Sequence, residues 1–186
     1  MSKATTQPKP DLAEGGCLCG SIRYAVTSEP EYMIHCACSF CQRATGSHYL
    51  VETLFPLEDL RVLSGTPKTF DIASTGSGKV IHIHFCETCG TKLFMTFERY
   101  DDIYGVFTGT FDDPNWCPRP VETTQYFYVQ KMPDGVAIPA GYGVYHGHSL
   151  KLDGSENTPQ VFERPTVVTS KIRQAVREFA ELHGEA

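Results

Sequence analysis

Seven of the eight cysteines in this 186-residue chain fall into three tight groups, and that grouping limits what the chain can fold into. Cys17-Leu18-Cys19-Gly20 comes first, Cys36-Ala37-Cys38-Ser39-Phe40-Cys41 second and Cys86-Glu87-Thr88-Cys89-Gly90 third, with Cys117 alone in NWCPRP. Thiols one or two residues apart can reach one ion from a single turn, and a glycine just after the pair can take the left-handed backbone such a turn needs. The N-terminus, MSKATTQPKPDLAEGG, is polar and carries no apolar stretch of the secretory kind. A reducing, cytoplasmic setting is therefore expected, where clustered cysteines hold metal rather than disulfides. Thiolate is a soft anionic donor well suited to Zn²⁺.

Between the cysteine groups the chain reads as short strands. In GSIRYAVT, Ile22, Tyr24 and Val26 alternate with Arg23 and Thr27, the period of a half-buried strand. HYLVETLF (48–55), LRVLSG (60–65), KLFMTF (92–97), DIYGVFTGTF (102–111) and TTQYFYVQ (123–130) extend the pattern. KTFDIAS (68–74) and KVIHIHF (79–85) flank STGSGK as a hairpin. From Thr166, Val168, Ile172, Ala175, Val176, Phe179 and Leu182 recur at helical spacing, with Gly184 as a stop. The expected fold class is all-β: an antiparallel scaffold with a C-terminal helix packed on it. The expected division is a flexible tail over residues 1–14, a zinc-binding β domain over 15–146, and a polar loop and helix over 147–186. A formal charge of −6 argues against nucleic acid as a partner. No apolar run approaches the roughly 20 residues of a membrane span.

Spacing alone leaves two ways to share the sulfurs. Either Cys38 and Cys41 join Cys86 and Cys89, or Cys17 and Cys19 join them and leave Cys36, Cys38 and Cys41 as a set of three. GGCLCGSIRY, CACSFCQRATGS and HFCETCGTKLF resemble the three motifs of the glutathione-dependent formaldehyde-activating domain, shared with centromere protein V, over about residues 15–130. That resemblance implies the second partition, a tent-like zinc-stapled β scaffold and two Zn²⁺ per chain. One zinc would be structural, on Cys17, Cys19, Cys86 and Cys89; the other would be of the catalytic type, on Cys36, Cys38 and Cys41. It implies a small thiol such as glutathione and a small aldehyde such as formaldehyde as partners, in a carbon–sulfur lyase reaction. Ala37 stands where many members of that family carry histidine.

Three cysteines leave one tetrahedral position for an incoming thiol, whose pKa zinc would lower. Cys117, His35 or His48 would close the site if one of them supplied a fourth ligand. Arg43, two residues past Cys41, is placed to meet a substrate carboxylate, and Thr45-Gly46-Ser47 is read as a turn whose N–H groups can touch an anion. His82 and His84 are read as exposed strand positions; Tyr104, Phe107 and Tyr126 as core. The competing readings are a non-catalytic zinc-scaffolded binding module and a thiol redox sensor built on the triple. Oligomeric state leaves no signature in the sequence.

Overall fold

Period-2 segments become strands close to where the sequence places them. The computed structural model describes residues 9–185. Its principal strands are β1 (Ala13–Gly16), β2 (Arg23–Val26), β3 (Tyr32–Cys36), β4 (Leu50–Pro56), β5 (Leu60–Ser64), β6 (Lys68–Ala73), β7 (Val80–Phe85), β8 (Lys92–Phe97), β9 (Ile103–Phe107) and β10 (Thr124–Phe127). Two helices accompany them, α1 (Ser39–Thr45) and α2 (Ser170–Leu182). The larger sheet runs Gln160–Val161, Gly143–Val144, β10, β3, β4, β9, β8, β7, β6, and it stays open at both edges. β1, β2 and β5 form a second sheet, and Ala137–Ile138 pairs with Thr166–Val167. Pairing is antiparallel except at β10, which runs parallel to β3 and to Gly143–Val144.

The faces of the large sheet separate two apolar clusters. Alternation sends Phe55, Phe94 and Val106 to one face, where Tyr24, Val26 and Leu60 of the smaller sheet and Phe111 close over them. Cys17 and Cys86 belong to this cluster. Ile34, Cys36, Leu50, Met95 and Phe107 point to the opposite face and gather Cys41, Phe127 and Tyr145 around them. A third cluster, with Tyr126, Val129, Val144 and Val168, receives α2 through Val176. Tyr104 is half-buried against the first cluster, whereas Phe107 and Tyr126 are buried outright.

Three local differences from the sequence reading have physical causes. The expected tail over 1–14 falls partly outside the described residues, and its remainder is anchored. Lys9 pairs with the buried Asp59 at 2.6 Å, Asp11 pairs with Arg61, and Ala13–Gly16 pairs with β2. α2 starts at Ser170, because the Thr169 side chain caps it by accepting the Ile172 N–H at 3.3 Å. Val168 fits the helical spacing yet precedes the helix, buried beside the strand Thr166–Val167. The third difference is α1, a helix to which the sequence reading assigns no element, reading only Thr45-Gly46-Ser47 as a turn. Among the described residues no helix is long and apolar enough to cross a membrane.

Candidate metal centres and active site

Two turns built alike bring four sulfurs together. In each, the glycine after the second cysteine adopts a left-handed conformation, φ 75° at Gly20 and 73° at Gly90. The Gly20 N–H donates to the Cys17 carbonyl at 3.0 Å, and the Gly90 N–H to the Cys86 carbonyl at 2.8 Å. A Cβ at either glycine would meet nothing within 4 Å, so backbone angle rather than crowding requires glycine. Thr91 ties the turns together: its hydroxyl accepts the Leu18 N–H and contacts Cys89 Sγ, both at 3.2 Å. The sulfurs of Cys17, Cys19, Cys86 and Cys89 lie within 4.8 Å of one another. Cys17–Cys19 and Cys19–Cys86 are 3.5 and 3.7 Å apart. A tetrahedron with Zn–S bonds of about 2.3 Å has S···S edges of about 3.8 Å, so this donor set fits zinc without rearrangement. The Thr91 hydroxyl, helped by its N–H, holds the Cys89 thiol down to about 5, in the thiolate form a metal needs.

The other three clustered cysteines meet at the end of β3. Cys36 is the last residue of that strand, Cys38 is the N-cap of α1, and Cys41 is buried in its first turn. The Cys38 sulfur accepts the Cys41 N–H at 3.3 Å, the role usually played by a serine or aspartate oxygen. The three sulfurs lie within 4.8 Å of one another. Cys36 and then Cys41 hydrogen-bond to the Cys38 sulfur and pull its pKa down to about 3. Interaction with Cys38 keeps Cys36 protonated, and Cys36 and Cys38 together do the same for Cys41. The cluster therefore already holds one thiolate.

Tyr128 packs against this cluster, and other residues the sequence reading overlooked stand near it. Tyr128 is the one described non-glycine residue with positive φ, 57°, a conformation that concentrates at functional sites. Burial, and next the neighbouring sulfur groups of Cys36 and Cys38, push its phenol up to about 12. The His148 ring lies 4.9 Å from that of Phe127, and its Nδ1 accepts the Leu150 N–H at 3.0 Å, which leaves the ring proton on Nε2. Arg99 stands 5.1 Å over the Tyr100 ring, and its charge reaches both Tyr128 and His148. Glu52 occupies β4 between Leu50 and Leu54, both on the three-cysteine face. It is 7% exposed, and its Oε1 has no hydrogen-bond partner. Glu52 could have been found in the sequence, because it is the one polar residue on the face of β4 that carries Leu50 and Leu54.

Burial, and secondarily Arg99, depresses His148 to about 4. The unfolded chain binds this proton near pH 6.5, so between pH 6.5 and 4 it holds more protons than the folded state, and stability falls as pH falls. His148→Asn keeps an acceptor for Leu150. Wild type should lose stability relative to this variant by up to about 1.4 kcal/mol per pH unit across that window, read from paired urea titrations.

Other sequence-selected residues sit elsewhere. Arg43 is exposed, since two residues along a helix is roughly half a turn and carries it away from the buried Cys41. Thr45-Gly46-Ser47 does not offer free N–H groups: Gly46 N–H donates to Gln42 O at 2.8 Å and Ser47 N–H to Thr45 Oγ1 at 3.2 Å. It forms the C-terminal end of α1, where the helix dipole disfavours an anion. Cys117 is a buried thiol donating to Pro118 O at 3.3 Å, His35 stacks on Tyr126 with ring centroids 4.3 Å apart, and His48 is exposed; none belongs to either sulfur cluster. His82 pairs with Asp71 at 2.8 Å, and His84 lies between Thr69 and Thr96, so neither is a bare surface position.

Residues 12–131 match the family model of the glutathione-dependent formaldehyde-activating enzyme. The chain belongs to that family. The matched span contains every clustered cysteine together with Glu52, Arg99 and Tyr128, whereas His148 lies beyond it. A Halomonas elongata protein provisionally named as a glutathione-dependent formaldehyde-activating enzyme is 28% identical over 130 residues, covering 68% of this chain and 81% of its own. A Podospora anserina protein with the same provisional name is 28% identical over 104 residues, covering 53% of this chain and 47% of its own. A crystal structure of a Rhodobacter sphaeroides protein aligns with a TM-score of 0.44 at 26% identity, over 55% of this chain and 90% of that one. For a member of the glutathione-dependent formaldehyde-activating family, the geometry supplies two separate sulfur groups, each able to hold a metal ion.

Proposed function

We propose that this protein catalyses the reversible addition of a glutathione-type thiol to formaldehyde or another small aldehyde, a carbon–sulfur lyase reaction run at the three-cysteine cluster. Cys17, Cys19, Cys86 and Cys89 would hold a structural zinc, and Cys36, Cys38 and Cys41 a second zinc with one position free. The observation that carries this reading is the asymmetry of the two groups. Four sulfurs complete one tetrahedron, while among the described residues no fourth Cys, His, Asp or Glu joins the other three. A zinc ion there would lower the pKa of an incoming thiol, so that thiolate is present at neutral pH. The residues supply the rest. The apolar wall of Phe107, Phe127 and Met95 excludes water from the reacting carbon, and Arg99, whose charge reaches Tyr128 and His148, offers a cation to a substrate carboxylate. Eight free thiols suit a reducing compartment such as the cytoplasm.

Cobalt substitution gives a direct test, since Co²⁺ in thiolate sites reports its coordination sphere by visible absorption. Glutathione should shift the bands of one of the two ions and leave the other unchanged. Magnetisation transfer between glutathione and its hydroxymethyl adduct should run faster than in buffer alone. An unchanged spectrum at saturating glutathione would remove the basis for this reaction.

A further inference from the structure

We infer that Glu52 is a catalytic residue of the three-cysteine site: its buried carboxyl, laid over the backbone of Gly105, donates a hydrogen bond and then a proton to the aldehyde oxygen as the carbon–sulfur bond forms. This inference rests on the proposed binding of the substrate thiol at that cluster.

Strand register places Glu52 there. On β3 and β4 the partners are Cys36 with Leu50 and Ile34 with Glu52, so Glu52 is one step along the same face from the cysteine. On its other side it pairs with Phe107 of β9. Ile34, Leu50, Phe107 and Met95 all belong to the apolar cluster that contains Cys36 and Cys41. A carboxyl in such surroundings is costly to bury without a partner, and Oε1 has none. Leucine or methionine would fill the same space without that cost, so packing does not account for a glutamate.

The fold also makes room for the acid. A Cβ on Gly105 would stand 1.8 Å from Glu52 Oε1, so the carboxyl occupies volume that a side chain on β9 would otherwise take. The nearby Phe97 ring keeps that volume apolar; its Cζ would stand 3.0 Å from the same Cβ. Burial, reinforced by the charge on Cys38, raises the Glu52 pKa to about 8, so the group is a neutral acid at neutral pH. Such a group can donate to an oxygen on which negative charge develops.

The step balances. The substrate sulfur lends an electron pair to the carbonyl carbon and the S–C bond forms. The C=O π pair moves to oxygen, which takes the Glu52 proton and becomes the hydroxymethyl group. Glu52, now a carboxylate, recovers a proton from the one released when the next thiol ionises. In reverse, the carboxylate removes the hydroxyl proton as the S–C bond breaks. No redox partner is involved.

Glu52→Gln in the zinc- and cobalt-loaded full chain tests this, because the amide keeps the shape and a donor but transfers no proton. The glutathione-dependent cobalt shift should persist while exchange with the hydroxymethyl adduct slows at least about 100-fold. Infrared difference spectra of wild type, with and without glutathione plus formaldehyde, should show a protonated-carboxyl band that moves on binding and is missing in the variant. Exchange within about threefold of wild type, or no moving carboxyl band while the cobalt shift persists, would overturn the assignment of Glu52 alone. A wild type that shows no cobalt shift removes the underlying reading as well. The infrared measurement on wild type decides the matter even if the variant does not fold.

Discussion

Cys86→Ser is expected to abolish cooperative folding at room temperature and to release one metal ion per chain. Cys86 is 1% exposed and packs in the cluster that joins the two sheets through Tyr24, Phe94 and Phe111. It shares its sulfur group with Cys19, 67 positions earlier, so an ion there would close a long loop and fasten the smaller sheet to the β7–β8 turn. Structural zinc sites of this type contribute on the order of 10 kcal/mol, comparable to the entire stability of an ordinary domain, about 5–15 kcal/mol. Serine would add a buried hydroxyl in place of the sulfur, a further cost of about 1–3 kcal/mol. Circular dichroism melts and metal counting on the purified variant give the answer. A variant that still melts cooperatively within a few degrees of wild type would mean that apolar packing alone holds the sheets together.

Cys36→Ser should separate chemistry from stability. Cys36 ends β3, with the ladder pairs Cys36–Leu50 and Phe127–Cys36 held by backbone atoms that the substitution leaves untouched. The other sulfur group lies in a different apolar cluster and keeps all four donors. The expected stability loss is about 2 kcal/mol, or a fall in Tm of roughly 5 °C for a chain of this size. Thiol–aldehyde exchange above the uncatalysed background should fall by more than about 100-fold, since loss of a group that merely supports a metal ligand already costs about 10–100-fold. Exchange measured by NMR beside a thermal melt distinguishes the two effects. Unchanged exchange with the three-cysteine ion gone would place the chemistry elsewhere.

The strands that the sequence made legible are those rich in β-branched and aromatic residues between turn signals. β4 and β9 were readable in that way although both of their faces are packed. β3 escaped because it carries Met33, His35 and Cys36 in place of such residues, and the burial of Met33, Ile34, His35 and Cys36 leaves no period to read. α1 escaped for another reason: seven residues hold less than two turns, too few for periodicity to register, and its cap is a cysteine instead of a usual capping residue. Missing that helix misplaced Arg43 and the Thr45–Ser47 turn. The cysteine grouping was readable because metal spacing is local. His148 and Arg99 were not, because they approach the cluster only through tertiary contacts around β10, a relation that no window of sequence contains.

The parallel pairing of β10 with β3 also sets an order of assembly. All seven grouped sulfurs lie in the first 89 residues, so they emerge from the ribosome before the rest of the chain, and the four-sulfur group can close once Cys89 has emerged. The wall around the other three comes from Phe127, Tyr128 and His148, synthesised much later. Through that interval the second group is a loading dock open to solvent, and an ion can enter before the door behind it is built.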